Sequence, residues 1–169
     1  MNEILEDLAD ALRDEMQEYG ELLALLGEQQ EAIVTRDIDT VNEIESQVDR
    51  TAAEIARRRA LREEYLTRAA SLVGAPEGRT LSEMLPAFPE ALRPMFSALI
   101  GEINDLLETT QRKARQNQVL LGKMIETARD VLRTLCPEAV SDTYDRQGLT
   151  AALNGRKVVP FPVKPTSRA

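Results

Sequence analysis

The side chains of this chain that could take part in chemistry are carboxylates, arginines, lysines, Ser and Thr hydroxyls, three tyrosines and one thiol. Its 169 residues include 29 Asp and Glu, 21 Lys and Arg, and no His. Without imidazole the chain lacks Ser-His and Cys-His nucleophile pairs, His metal ligands and the Glu-x-x-His pairs of di-metal helical bundles. We therefore expect no enzyme activity, no catalytic residues, no metal site and no cofactor.

The single cysteine, Cys136, has no second thiol with which to form an intramolecular disulfide. It follows the predicted end of a helix, where the helix dipole opposes a thiolate. No phosphate-binding Gly-x-x-x-x-Gly-Lys-Ser/Thr loop occurs in the chain. Cys136 is interpreted as an inert thiol, and the binding of other molecules is the chemistry left to this chain.

The net charge of -8 argues against two classes of binding partner. Nucleic acids and anionic membrane surfaces both require clustered Lys and Arg to neutralise phosphates. No apolar run approaches the length of about 18 residues that a membrane-spanning helix requires. The start Met1-Asn2-Glu3-Ile4 is acidic, whereas a secretory signal begins with basic residues. We expect a cytoplasmic protein with no nucleic-acid partner and no membrane insertion.

The predicted binding surface lies on a long helix over residues 89–135. Apolar residues recur there in steps of three and four, which is the pattern of a coiled-coil seam, and the pattern weakens over residues 109–118. In the last third of the helix, the seam residues are Leu121, Met124, Ala128, Val131 and Leu135, and Leu132 lies beside them. We expect these six residues to bind a partner protein. Packing against the rest of the bundle is the alternative.

Two further long helices are predicted before this one. The first covers residues 2–35, and its seam consists of Leu5, Leu8, Leu12, Tyr19, Leu22, Leu26 and Ile33. Glu15 and Gln29 occupy the positions that would complete its heptads. The second covers residues 40–72 and is capped by Asp37 or Asp39. Its apolar residues are Val41, Ile44, Val48, Ile55, Leu61, Tyr65, Leu66 and Leu72.

The connection to the long C-terminal helix contains strong helix-ending and helix-starting signals. Gly74 suits a left-handed C-cap, and Pro76 cannot continue the helix. Thr80 and Glu83 have the spacing of a capping box, which predicts a short helix to about residue 85. Short connections imply antiparallel neighbours. The predicted fold class is all-α, an elongated antiparallel, coiled-coil-like bundle of three long helices with a short connecting helix and a flexible C-terminal tail.

Four arginines, Arg57, Arg58, Arg59 and Arg62, are clustered in the second helix. We interpret them as part of a solvated face with intrahelical i,i+4 ion pairs. A basic patch for an acidic partner is the alternative.

The chain is divided into a helical bundle domain, residues 1–140, and a C-terminal turn and largely flexible tail, residues 141–169. Polar turn residues follow Ser141, and Pro160, Pro162 and Pro165 exclude a helix or a central strand. The tail has more Lys and Arg than Asp and Glu, although the whole chain has a net charge of -8. Body and tail are therefore expected to have different roles.

Two short motifs resemble those of the FlgN family of bacterial flagellar export chaperones. The family's long last helix carries an Asn-x-x-Asn-x-x-Leu-Leu pattern, which Asn117, Leu120 and Leu121 match, although Ala114 stands at the first Asn position. A Tyr-x-x-x-Gly turn follows in the family, and here Tyr144 and Gly148 match it.

The resemblance implies a cytosolic, non-enzymatic chaperone of type III flagellar export. Such a chaperone binds hook-filament junction (hook-associated) proteins, prevents their premature assembly and delivers them to the export gate or to components of the ATPase complex. Tyr144 and Gly148 would then dock onto the export gate. Packing of Tyr144 on the bundle end, and a backbone role for Gly148 in place of a contact, are the alternatives. The rival interpretation is a coiled-coil adaptor or structural protein that self-associates through its exposed seam.

Overall fold

The computed structural model describes residues 2–76 and 78–135. These residues are helical for most of their length and contain no β-strand. The helices are α1 (Asn2–Thr35), α2 (Ile38–Val73), α3 (Leu81–Met84) and α4 (Arg93–Leu135), and a 3-10 turn at Leu85–Ala87 follows α3. The predicted all-α class is confirmed for the part of the chain that the structure describes.

Helix α1 has the predicted bounds, and all seven predicted seam residues are buried. It ends in a Schellman motif, in which Arg36 adopts a left-handed conformation with φ of 60°. The Arg36 N–H donates to the Ile33 carbonyl over 3.2 Å, and the Asp37 N–H donates to the Ala32 carbonyl over 2.9 Å. The last carbonyls of α1 are thereby paired, although an arginine stands where glycine is usual.

Helix α2 begins two residues earlier than predicted because Asp37, not Asp39, is its N-cap. The Asp37 carboxylate accepts hydrogen bonds from the Thr40 backbone N–H over 3.1 Å and from the Thr40 hydroxyl over 2.7 Å. These bonds lower the pKa of Asp37. Gly74 ends the helix with φ of 66°, as predicted, and its N–H donates to the Ala70 carbonyl.

Helices α1 and α2 pack against each other in antiparallel directions, since residue 14 lies beside residue 58 and residue 15 beside residue 62. Of the apolar residues of α2, Val41, Ile44 and Ile55 are buried, whereas Leu61 and Leu72 are 38% and 48% exposed. The buried positions instead continue in steps of seven from Ile55 through Arg62 to Ala69, so a charged residue occupies the seam position beside Leu61.

The connector confirms the predicted capping box. The Thr80 N–H donates to the Glu83 carboxylate over 2.8 Å and the Glu83 N–H donates to the Thr80 hydroxyl oxygen over 3.4 Å. The hydrogen bonds from Thr80 lower the pKa of Glu83. Phe88, which follows the 3-10 turn, packs edge-on against Phe96 of α4 with ring centroids 5.0 Å apart. Both rings are buried, so the connector is attached to the start of α4.

Helix α4 begins at Arg93, four residues later than predicted. The Leu92 N–H donates to the Pro89 carbonyl over 2.9 Å and closes a turn in place of a first helical turn. Pro94 lies within the first turn of α4, where its missing N–H would have no helical partner. Helix α4 extends without interruption to Leu135.

The residues of α4 that contact α1 follow each other in the same order as their partners in α1. Arg13 donates to the Met95 sulfur over 3.6 Å, and further along both helices the Lys113 ammonium group donates to the Gln30 side-chain oxygen. Helices α1 and α4 are therefore parallel in this region.

The chain divides into two compact units, Met1–Leu120 and Leu121–Ala169. The first contains the α1–α2 pair, the connector and the first part of α4. The described part of the second is the last part of α4. The predicted domain boundary at residue 140 lies outside the described residues.

Candidate protein-binding site

The six residues predicted to bind a partner all lie on the last four turns of α4, and we call them the C-terminal apolar strip. The exposed fraction is 50% for Val131, 56% for Leu132 and 72% for Leu135. Ala128 is also exposed, while Leu121 and Met124 are half-buried. The strip therefore offers apolar side chains to solvent, most strongly toward Leu135.

This clustering is unusual among the described residues. Eight of their large apolar side chains are exposed, and three of the eight belong to the strip. Single exposed apolar residues are normal on protein surfaces, whereas a contiguous group marks an interaction site. Val34 and Ile38 lie near the α1–α2 turn, and Leu61, Leu72 and Val119 are separated along the chain.

Ile125 belongs to the same helix face and was missed by the sequence analysis. It lies four residues after Leu121 and three before Ala128, and its side chain is half-buried. With Ile125 and Leu132, the apolar face covers three positions per heptad, wider than the two of a coiled-coil seam. The i,i+4 step from Leu121 was the signal that could have identified it.

Asn117, the matched position of the family motif, is a structural contact within the first unit. It is 2% exposed, and its side-chain N–H groups donate to the Leu26 carbonyl over 2.7 Å and to the Gln29 side-chain oxygen over 2.9 Å. Leu120 is half-buried. Asn117 therefore fixes the register of α4 against α1.

The weak part of the α4 seam is explained by polar residues that are buried. Thr110 and Asn117, seven residues apart, are both 2% exposed. The seven-residue spacing continues the seam with polar side chains. An apolar pattern could not reveal these positions, although the regular seven-residue spacing from Ile103 through Thr110 to Asn117 was a signal for them.

The arginines of the α2 cluster mainly form ion pairs with carboxylates of α1. Neither interpretation of the sequence anticipated pairs between helices. Arg58 lies 2.7 Å from the Asp14 carboxylate of α1, and Arg62 lies 3.1 Å from the Glu15 carboxylate. Intrahelical pairs with Glu54 also form, at 3.4 Å from Arg57 and 3.2 Å from Arg58. Most of the cluster therefore joins α2 to α1.

Glu15 is the most deeply buried charged residue described, at 1% exposed. Burial raises its pKa, and the nearby guanidinium groups of Arg62 and Arg59 oppose that shift. Burial also raises the pKa of Tyr19, one turn further along α1. Carboxylates with raised pKa values can act as general acids. Glu15, however, faces its arginine partners inside the α1–α2 interface and not a cleft.

One open groove of about 360 Å³ lies between α1 and α4 in the first unit. Its lining residues are Met16, Leu23, Glu102, Asp105, Leu106 and Thr109. These side chains supply two carboxylates and a hydroxyl but no base paired with a nucleophile. Across residues 2–76 and 78–135, no group of three or more Cys, Asp or Glu side chains is arranged to hold a metal ion.

Tyr144 and Gly148, the predicted export-gate residues, lie outside the described residues, as does Cys136. None of the helices in the described part of the chain is long and apolar enough to cross a membrane.

Fold and site together define a class of protein: over residues 2–76 and 78–135 it is built from helices, and it exposes an apolar strip near the end of a long helix. The family model described as FlgN protein matches residues 1–152. The chain therefore belongs to the FlgN family of flagellar export chaperones. No curated protein and no solved structure is significantly similar to it.

Proposed function

We propose that this chain is a cytoplasmic chaperone of type III flagellar export that binds hook-filament junction proteins through the C-terminal apolar strip. It prevents their premature assembly and delivers them to the export gate or ATPase complex. Family membership supports the chaperone role. The exposure of Val131, Leu132 and Leu135 is the observation that carries the proposed site.

The strip suits the capture of an amphipathic helix. Its ends, Leu121 and Leu135, are 14 residues apart, which corresponds to about 21 Å of helix. A partner helix of about four turns can lay its apolar face along that length. Full burial of a Leu or Val side chain contributes about 1.5–3 kcal/mol, and the exposed side chains of the strip have roughly half of their surface left to bury. Met124 adds a flexible side chain that can adapt to different partners.

The first unit positions the part of α4 that precedes the strip. Asn117 fixes α4 beside α1, and α1 is paired with α2. We propose that these three long helices form one antiparallel bundle, with α4 as its third member. Tyr144 and Gly148 are proposed to dock onto the export gate. No enzyme activity is part of this proposal.

The test is titration calorimetry of the full chain against purified junction proteins from the same source. We expect saturable one-to-one binding by the wild type and at least about tenfold weaker binding by Val131→Asp, because burying an unpaired carboxylate is costly. Val119→Asp is the matched control, since Val119 is 58% exposed and points away from the strip on the same helix.

Far-UV circular dichroism should be the same for both variants and the wild type. Loss of helicity in Val131→Asp would show that Val131 is part of the folded core and not of the binding site. Equal affinities of Val131→Asp and Val119→Asp would contradict the proposed location. Failure of the wild type to bind any junction protein would overturn the proposed function.

A coiled-coil adaptor that self-associates is the second candidate, because the same exposed strip could pair with a second copy. Sedimentation measurements distinguish the two functions. A stable dimer at low micromolar concentration, together with no affinity for junction proteins, would favour the adaptor.

A further inference from the structure

The seam of α4 changes character along the helix. Its first buried residues, Phe96, Leu99 and Ile103, are all apolar. Phe96 packs against Phe88 of the connector, and the Arg93 guanidinium group donates to the Phe88 carbonyl over 2.9 Å. The first part of α4 is therefore held by apolar burial and by its attachment to the connector.

The next buried residues of the seam are polar and only partly paired. Thr110 and Asn117 are each 2% exposed. Among the described residues, no group is hydrogen-bonded to the Thr110 hydroxyl oxygen or to the Asn117 side-chain oxygen. A buried polar atom without a partner has lost its hydrogen bonds to water, and this loss destabilises the packed state. Undocking of this part of α4 would return both atoms to water.

Packing between α1 and α4 is also incomplete in the middle of the first unit. The open groove of about 360 Å³ lies beside residues 102–109 of α4, and Met16 and Leu23 of α1 form part of its wall. Side chains that line an unfilled groove make fewer van der Waals contacts than side chains in a packed core. Residues 106–120 of α4, which we call the polar-seam segment, are therefore held to α1 more weakly than residues 93–103 are held to their surroundings.

Gly101 lies near the junction of these two parts of α4, two residues before Ile103. Glycine in a helix interior lowers helix stability relative to alanine, because it loses more conformational freedom on folding. A Cβ atom added at Gly101 would meet no heavy atom within 4 Å outside its own stretch of helix, so packing does not require glycine there. Gly101 therefore weakens α4 close to the point where the apolar seam ends.

We propose that Gly101 is a hinge about which the polar-seam segment undocks from α1, while the first part of α4 stays attached to the connector. The undocked state uncovers Leu26 and Gln29 of α1, the two residues that Asn117 contacts. Local openings of this kind occur without global unfolding and involve the least stable parts of a fold. On return, the hydrogen bonds of Asn117 select the register in which the segment docks.

Hydrogen exchange of the full chain, read by mass spectrometry of peptic fragments, tests this motion. An undocked helix of this length is only marginally stable in water, so its amide hydrogens exchange. After correction for intrinsic rates, the amides of residues 106–120 should exchange at least about tenfold faster than those of residues 97–103. Equal protection of the two parts of α4 would overturn the proposal.

The first variant, Thr110→Val, removes the unpartnered hydroxyl group and keeps the branched shape of the side chain. It should slow the exchange of residues 106–120 by about tenfold, because the packed state no longer buries an unpaired polar atom. Thr109→Val is the matched control and should change the exchange little, since Thr109 is half-buried and its hydroxyl oxygen accepts from Arg112 over 3.4 Å. Equal slowing by the two variants would contradict the role of the polar seam and overturn the proposal.

The second variant, Gly101→Ala, stiffens the hinge. It should slow the exchange of residues 106–120 by about fivefold, because alanine makes the helix harder to break at this position. Gly20→Ala is the matched control, since Gly20 lies inside α1 and a Cβ atom added there also meets nothing within 4 Å. It should stabilise the whole fold against urea without slowing the exchange of the polar-seam segment. If Gly20→Ala slowed that exchange as much as Gly101→Ala, the segment would open only by global unfolding, and the proposed hinge would be wrong.

Discussion

Asn117 of α4 donates a hydrogen bond over 2.7 Å to the backbone carbonyl of Leu26 in α1, 91 residues earlier in the chain. The same amide group donates to the Gln29 side chain, and Asn117 is 2% exposed. A buried asparagine in a helical seam fixes register at some cost in stability. This contact therefore determines which part of α4 lies beside α1 in the first unit.

We predict that Asn117→Ala lowers the free energy of unfolding by about 2 kcal/mol, because the Gln29 oxygen would lose its donor in a buried site. Urea unfolding monitored by circular dichroism measures the change. Gln118→Ala, at the exposed neighbouring position, is the control and should change stability little. If the two variants were equally stable, Asn117 would not be a structural contact.

Arg62 offsets the charge of Glu15 inside the α1–α2 interface, at a distance of 3.1 Å. Arg62→Leu should destabilise the fold by about 3 kcal/mol near neutral pH, because it leaves a buried carboxylate without its closest cation. The double variant Glu15→Leu with Arg62→Leu should recover most of that loss. Chemical unfolding of the wild type, both single variants and the double variant gives the coupling free energy between Glu15 and Arg62. Simple additivity of the two single changes would contradict the pairing.

The raised pKa of Glu15 predicts a pH dependence of stability. The folded-state pKa of Glu15 lies above the ordinary glutamate value of 4.5. This group therefore favours folding below pH 4.5, and its contribution is lost as the pH rises through the folded-state pKa. The wild type should therefore lose stability relative to Glu15→Gln over that pH range. Unfolding midpoints measured across the range test this, with Glu21→Gln as the exposed control. A constant difference between wild type and Glu15→Gln would contradict the raised pKa.

Arg36 holds the left-handed position at the end of α1 with φ of 60°. A side chain with a Cβ pays about 1 kcal/mol for this conformation, so Arg36→Gly should stabilise the protein by up to that amount. Arg36→Ala removes the same charge but keeps the Cβ and is the matched control. In thermal unfolding, Arg36→Gly should have a higher midpoint temperature than Arg36→Ala. The reverse order would show that the backbone is not strained there.

Local signals in the sequence predicted most of the helix boundaries. Asp37, Gly74 and the Thr80–Glu83 pair act through hydrogen bonds to groups no more than four residues away, so their roles could be inferred from neighbours alone. The start of α4 was placed too early because a proline-rich turn at residue 89 and a first helical turn have similar sequences. The α1 seam was recognised because its apolar spacing is regular.

The C-terminal apolar strip was predicted as one face of a helix. The same spacing of three and four residues also includes Ile125. The apolar spacing alone did not distinguish exposure of Val131, Leu132 and Leu135 from packing in the bundle, since the same pattern occurs in a core helix and in a binding helix. Exposure depends on which other segments cover a face, and the spacing along α4 does not contain that information.

The sequence by itself determined the helical class, the caps, the α1 seam and the position of the strip, because these depend on residues within a few turns of each other. Only the tertiary structure decided that Arg62 is a seam residue paired with Glu15, that Leu61 is exposed, and that Asn117 joins α4 to α1. A buried polar residue is stable only where a distant part of the chain brings it a partner. The partners of these residues come from another helix, so no local pattern could reveal those partners, even where heptad spacing marks a position as part of the seam.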